Sequence, residues 1–202
     1  MKRLLILLLC IVNVFQIDRE FHRISTVPLI SMFFAELDRY SPRLMEIFSR
    51  KVGQSGKKPP IMVTISKDDT IHTRIACVIK SLCTYLNEDP EKLVKEYLDS
   101  DIESQSIMEQ TVMGVYVILK EGELPDDDPQ DIGVLIEGVE FLSDLSSIAQ
   151  ACALLFGLIY CLNLSYPPEL KCTFEVLQKI FLNLNGQRLS SKAQFLKNKL
   201  LE

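Results

Sequence analysis

Apolar residues recur at helical spacing along much of the chain, beginning in residues 26–51. Within that stretch, Ser41-Pro42 interrupts the pattern and predicts a pair of helices, because proline is favoured at the first position of a helix. Another helix is predicted from about Thr70 to Leu86. The glycine and proline in residues 52–60 predict an exposed loop between these helices.

The middle of the chain carries mixed signals. Asp89-Pro90-Glu91 has the form of a helix start, with an N-cap carboxylate followed by proline and an acid, and predicts a short helix through Leu98. Residues 111–119 are β-branched and aromatic and indicate a strand, whereas the polar residues 120–131 indicate a loop. Glu137-Gly138, between two short apolar runs, is typical of a two-residue hairpin turn.

The C-terminal third contains the strongest helical signal. Ser143 to Leu162 is apolar almost all round, which predicts a helix buried on most sides. Its longest apolar run has 12 residues, fewer than the roughly 20 that span a bilayer. Pro167 to Leu184 is amphipathic. A final helix is predicted from Ser191, because Gln194 stands three residues later in a capping-box pattern.

Together these elements predict a mostly α fold, a multi-helix globular bundle with a small β-hairpin or short sheet around residues 112–142. We expect a single helical domain over residues 17–202. Residues 1–16 form a hydrophobic leader that is interpreted either as signal-like or as a buried helix, since Lys2 and Arg3 precede an apolar run without a clean cleavage site. With 48% hydrophobic residues, the 202-residue chain needs neither disulfides nor a metal to form a core.

Charge is distributed unevenly, although the net charge is only -5. Residues 87–145 hold 17 Asp/Glu against 3 Lys/Arg, a balance of -14. Such an acidic stretch repels a phosphate backbone, so nucleic acid is not an expected partner. It predicts instead either a solvated face or a surface that meets a basic region of a protein partner.

The six cysteines include no C-x-x-C pair, and most of them lie in apolar helical patterns. They are interpreted as reduced core thiols, which favours a cytoplasmic or nuclear protein. Residues 1–15 keep a secreted protein as the alternative. In that case Asn163-Leu164-Ser165 would be a glycosylation sequon, and otherwise Asn163 simply ends the helix before it.

The motifs of catalysis and ligand binding that the sequence partly matches are each incomplete. Gly56-Lys57-Lys58 lacks the first glycine and the hydroxyl of a phosphate-binding loop. Asp126, Asp128 and Glu137 fit three positions of a calcium loop, but its required central glycine is missing. His72 has no nucleophile paired with it. The sequence therefore predicts no catalytic, cofactor-binding or metal-binding residues and no small-molecule substrate.

One resemblance adds to this interpretation. It is carried by ALLFGLIYCLNLSYPPELKCTFEVLQKIFLNLNG (153–186), with IGVLIEGVEFL (132–142) before it and SSKAQFLKNKLLE (190–202) after it. The chain resembles, from about Ile17 onward, the C-terminal region of uncharacterised vertebrate proteins often labelled sterile-alpha-motif-domain-containing-like. The resemblance implies a many-copy family without established activity, for which a mobile-element origin is one explanation. The sterile alpha motif itself is not recognisable here.

Three functional hypotheses follow from these patterns. The first is a non-enzymatic protein-interaction or scaffold domain, whose acidic residues 87–145 meet a basic surface. The second is a small secreted protein with an N-terminal signal peptide. The third is an enzyme whose motif is not recognisable.

Overall fold

The computed structural model describes residues 13–55, 71–100, 104–122, 129–185 and 188–202. The helices are α1 (Val14–Ser25), α2 (Leu29–Ser55), α3 (Ile71–Tyr85), α4 (Ser104–Gln110), α5 (Ile148–Cys161), α6 (Lys171–Val176) and α7 (Ser191–Leu201). The strands are β1 (Val94–Leu98), β2 (Met113–Leu119), β3 (Asp131–Ile136) and β4 (Val139–Leu142). Two 3-10 turns (Pro90–Lys92 and Pro168–Leu170) and a π-helical segment (Leu177–Phe181) complete the described elements.

The four strands form one mixed sheet in the order β1-β2-β3-β4. The first pair is parallel, with α4 between its strands along the chain, and the other two pairs are antiparallel. Glu137 and Gly138 make the tight turn between β3 and β4 with φ values of 51° and 74°, as expected of a primed hairpin turn. The mostly α fold and a small sheet are thus confirmed. Strands β2, β3 and β4 lie within the predicted residues 112–142, whereas β1 lies outside them. The multi-helix bundle stays a prediction.

Helix α5 lies at the centre of the molecule. Its residues Ala149 and Ala151–Ile159 are all buried, and α1, α2, α3, β2 and β3 pack around it. The Phe156 ring lies 5.9 Å from that of Phe21 and 6.4 Å from that of Tyr166. The prediction of a helix buried on most sides is confirmed, but the helix begins at Ile148 and not at Ser143. Among the helices in the described ranges, none is both long and apolar enough to cross a membrane.

Both ends of α5 are closed by local hydrogen bonds. At the start, the Ser147 hydroxyl accepts a bond from the Gln150 amide at 3.2 Å. At the end, the Leu164 amide donates to the Ile159 carbonyl at 2.9 Å while Asn163 adopts a left-handed φ of 49°. This is a Schellman motif, and it confirms that Asn163 ends the helix.

The predicted helix pair in residues 26–51 is wrong, because α2 runs without a break and contains Pro42. Proline cannot donate to the carbonyl four residues earlier, that of Asp38. Both residues are exposed, so solvent can satisfy that carbonyl, and the neighbouring Ser41 hydroxyl donates to the Leu37 carbonyl at 2.5 Å. Helix α2 also reaches Ser55, within the predicted loop of residues 52–60, whose remainder lies outside the described residues.

The predicted helix through Leu98 is also wrong. Asp89 does act as an N-cap, accepting a bond from the Glu91 amide at 3.0 Å. The turn it caps covers only Pro90–Lys92, and the chain then enters β1. Val94 joins the main core and Tyr97 a smaller cluster on the other face of the sheet. Parallel pairing with β2, which lies far along the chain, decides this conformation.

The C-terminal elements agree with their sequence patterns only in part. The amphipathic stretch Pro167–Leu184 is a 3-10 turn, α6 and a π-helical segment rather than one regular helix. Helix α7 begins at Ser191 as predicted, but the residue that caps it is Ser190, whose hydroxyl accepts a bond from the Ala193 amide. Helix α1 begins at Val14 with a capping box and continues through residues 16 and 17. Residues 1–12 of the leader lie outside the described residues.

Candidate interaction surfaces

The residue types that carry catalysis or bind metals are dispersed. His22 is exposed on α1, and the side chain of His72 lies outside the described part. Of the calcium-loop pattern, Asp126 and Asp128 are not described, and Glu137 lies at the opposite end of β3 from Asp131, roughly 20 Å away along the strand. Within the described ranges, no group of three His, Cys, Asp or Glu residues is arranged to hold a metal ion.

The five described cysteines are all free, and Cys83 and Cys152 are buried, as predicted for core thiols. Burial raises the pKa of Cys83 to about 11 and also raises the pKa of Cys152. The Thr173 hydroxyl donates to the Cys83 sulfur at 3.5 Å. Because the thiolate is the nucleophile and the metal ligand, these two thiols are unsuited to either role at neutral pH.

Several carboxylates of the acidic region, residues 87–145, have structural roles. Glu88 follows the left-handed Asn87 that ends α3, and its carboxylate accepts the amides of Cys172 and Thr173 at 2.7 and 2.9 Å. It thereby ties the end of α3 to the first turn of α6. Glu96 pairs with Lys80 at 2.5 Å. Of these two residues, Glu88 is engaged within the fold, whereas the Glu96 side chain remains 50% exposed.

Asp131 has a comparable role on the outer face of the sheet. The buried Tyr116 hydroxyl donates to one of its oxygens at 2.9 Å, and the Asp144 amide donates to the other at 2.8 Å. Tyr116 lies against its cross-strand partner Gly133, where an added Cβ would come within 2.4 Å of the tyrosine ring. Burial, together with this hydrogen bond, raises the pKa of Tyr116 above its usual range.

The hairpin end of the sheet combines exposed charge with exposed apolar side chains. Gly138 lies against the backbone of Glu109, since a Cβ there would come 2.1 Å from the Glu109 carbonyl oxygen, and the Glu137 amide donates to the Val112 carbonyl at 2.6 Å. Val112 is 64% exposed and Val139 is 39% exposed. We name Glu109, Val112, Glu137 and Val139 the hairpin patch. Neither of its carboxylates forms an ion pair with another described residue.

A second surface is basic rather than acidic. Helix α7 and the ends of α2 and α3 enclose a groove of about 360 Å³. We name it the basic groove, and it is lined by Arg50, Tyr85, Leu86, Asn87, Lys192, Phe195 and Lys199. Its lining contains three cations and no carboxylate. None of the motifs in the sequence indicated it, because its residues come from three distant segments.

Another cavity of about 360 Å³ lies between α2, the π-helical segment and α7. Its lining includes carboxylate as well as cations, and two of the cations are already paired. Arg39 binds Glu36 at 2.5 Å, and Lys179 binds Glu175 at 3.0 Å. The two cavities beside α7 therefore differ in net charge although they are similar in size.

No protein-family model, curated protein or solved structure matches the chain. The resemblance to the sterile-alpha-motif-domain-containing-like proteins stays a prediction.

Proposed function

We propose that this chain is a non-enzymatic protein-interaction domain, and that its acidic region binds a basic surface of a protein partner through the hairpin patch. The observation that carries the proposal is the pairing of two exposed carboxylates with two exposed valines at one end of the sheet. Stable protein–protein interfaces combine an apolar core with a rim of polar groups. The hairpin patch has both the apolar side chains and the charged groups that such an interface needs.

The surrounding charge supports the same partner chemistry. Residues 87–145 carry a balance of -14, and a field of one sign steers an oppositely charged protein toward the patch and repels nucleic acid. Glu91 and Glu121 are further exposed carboxylates of this region. We therefore expect a protein with clustered lysine and arginine to associate faster as the ionic strength is lowered.

A cytoplasmic or nuclear location belongs to this proposal. Its support is the set of free thiols, two of them deep in the core, together with the resemblance to a many-copy family of vertebrate proteins. Expression with a C-terminal tag tests it against secretion. Uncleaved protein that stays in the cells supports the proposal, whereas a trimmed product carrying a glycan on Asn163 in the medium contradicts it.

The interaction itself is tested with two double variants of equal charge change. Glu109→Gln with Glu137→Gln neutralises the hairpin patch, and Asp38→Asn with Glu169→Gln neutralises two exposed carboxylates elsewhere. Each tagged protein is used to capture partners from cells at about 50 and 200 mM salt, and the captured proteins are quantified by mass spectrometry. We expect the patch variant to lose basic proteins that the wild type and the control both retain.

Equal capture by all three proteins would contradict the proposal, as would the absence of any salt-sensitive partner. Val112→Ser supplies an independent check, since Val112 is exposed and its replacement leaves the charge unchanged. It should weaken capture of the same proteins.

A further inference from the structure

We propose that the basic groove binds an acidic peptide segment of a second protein, one that carries carboxylates next to an apolar side chain. This site is separate from the hairpin patch and does not depend on it. The groove lies beside α7, whereas the patch lies at the end of the sheet.

The cations of the basic groove are available to a ligand in different degrees. Arg50 contacts Glu46 at 2.5 Å but remains largely exposed, and the Lys192 ammonium donates to the Leu86 carbonyl at 2.6 Å. The Lys199 ammonium lies 4.8 Å above the ring of Phe195 and has no carboxylate partner among the described residues. An incoming carboxylate therefore finds at least one cation that is not already neutralised, and the others lie along the same lining.

The apolar residues of the lining should favour a ligand that also carries an apolar side chain. Phe195 is 57% exposed, so part of its ring is accessible to an apolar side chain of a ligand. Tyr85 is nearly buried, with its ring 5.3 Å from that of Phe48, and so forms a firm wall beside Leu86. A side chain such as leucine would cover Phe195 and be held against this wall while neighbouring carboxylates reach the cations.

The size and shape of the site favour a peptide over other anionic ligands. A volume of about 360 Å³ is at the lower end for ligand sites and accommodates a few side chains rather than a duplex groove or a lipid surface. Local charge complementarity within the groove is what admits a short acidic segment.

Two lysines on α7 provide a matched test. Lys199 lines the basic groove and Lys197 lines the cavity on the other side of the helix. Lys199→Glu and Lys197→Glu thus change the same charge on the same helix, two residues apart. The probe is the fluorescein-labelled peptide Glu-Glu-Leu-Asp-Asp-Leu-Glu-Glu, and its binding to the full chain is followed by fluorescence anisotropy at about 100 mM salt.

We expect Lys199→Glu to raise the dissociation constant at least about tenfold, and Lys197→Glu to change it less than about threefold. Phe195→Ser should weaken binding without any change of charge, and the peptide with glutamine and asparagine in place of its acids should not bind. Glu109→Gln with Glu137→Gln should leave binding unchanged, so this proposal and the proposed function can fail separately. Circular dichroism and thermal melting confirm that every variant is folded.

Three results would overturn the proposal. Equal loss in the two lysine variants would show a general field rather than a site. Tighter binding of oligo(dT) or of vesicles containing phosphatidylserine than of the peptide would assign the groove to another ligand. Self-association that Lys199→Glu abolishes, without binding of the peptide, would assign the groove to a second copy of this chain.

Discussion

The two faces of the sheet are stabilised by different interactions. The inner face packs on α5 within one continuous core that gathers nearly all the buried apolar residues. The outer face supports only a small cluster of Tyr97, Met108, Tyr116 and Leu135, flanked by Ile107 and Ile118. Burial of apolar surface stabilises the inner face. The outer face depends instead on an aromatic ring packed closely against the backbone and on individual hydrogen bonds.

Substitutions on the inner face should therefore act through a change of volume, and those on the outer face through a change of geometry. In the inner core, neighbouring side chains are apolar, so a truncated residue leaves a cavity. On the outer face, Tyr116 spans Gly133 to reach Asp131, so an added methyl group matters as much as a removed one.

Truncation of the central aromatic residue should have the largest effect. Phe156 is fully buried and its ring lies near those of Phe21, Tyr160 and Tyr166. We expect Phe156→Ala to lower the free energy of unfolding by about 3–5 kcal/mol, measured by urea denaturation followed by circular dichroism. Phe195→Ala is the control, because that ring is exposed, and it should cost less than about 1 kcal/mol. Similar losses in both would contradict a core centred on α5.

Gly133→Ala should be a damaging small change within the strands. The new Cβ would lie 2.2 Å from the Leu142 carbonyl oxygen and 2.4 Å from the Tyr116 ring, and the backbone atom cannot move aside without disturbing the β3–β4 pair. We expect a loss of about 1–3 kcal/mol in the same measurement. Gly114→Ala, on β2, meets its nearest atom at 3.4 Å and should change stability by less than about 0.5 kcal/mol.

The carboxylate of Glu88 links two helices of the core region. Glu88→Ala leaves the amides of Cys172 and Thr173 without their acceptor, and we expect a loss of about 1–2 kcal/mol. Glu88→Gln keeps one acceptor oxygen and should lie between the alanine variant and the wild type. Glu169→Ala removes an exposed carboxylate near the same helix and should have little effect. If it equals Glu88→Ala, the link is not specific.

The sequence predicted the elements whose conformation is determined by neighbouring residues along the chain. The all-round apolar character of Ser143 to Leu162 was enough to predict a buried helix there, although α5 covers only Ile148–Cys161. Glu137-Gly138 was enough to predict the hairpin. Leu93, Val94, Tyr97 and Leu98 fit a helical pattern as well as a strand, and only pairing with β2 decides between them. Pro42 cannot donate a hydrogen bond to the Asp38 carbonyl, yet α2 continues through it, so the proline alone does not distinguish the start of a new helix from a position inside one.

Neither surface could be derived from spacing along the chain. The basic groove joins Arg50, Tyr85 and Lys192 from segments far apart in sequence, and the hairpin patch requires α4 to pack beside the β3–β4 turn. The charge balance did indicate that residues 87–145 carry an excess of carboxylates. It could not separate those that hold the fold, such as Glu88 and Asp131, from those that face solvent.

Removing the hydroxyl from either tyrosine of the outer cluster should have the smallest effect on the free energy of unfolding. Tyr116 donates to Asp131, whereas the Tyr97 hydroxyl is buried and has no hydrogen-bond partner in the described structure. Tyr116→Phe should lower the free energy of unfolding by about 1 kcal/mol, and Tyr97→Phe should leave it unchanged or raise it by up to about 1 kcal/mol, because it removes an unsatisfied buried group. Denaturation of both variants at pH 7 measures the difference.

The pH dependence separates these tyrosines further. Burial and the bond to Asp131 raise the pKa of Tyr116 above its value in the unfolded chain, so the folded state holds this proton more tightly. The resulting stabilisation is fully present below about pH 10 and is lost as the pH rises above it, since the unfolded chain can then ionise this residue. Tyr116→Phe should therefore become less destabilising, relative to wild type, as the pH is raised from 8 to 11. A constant difference over that range would show that the Tyr116 hydroxyl is open to solvent and that the outer face is not a closed layer.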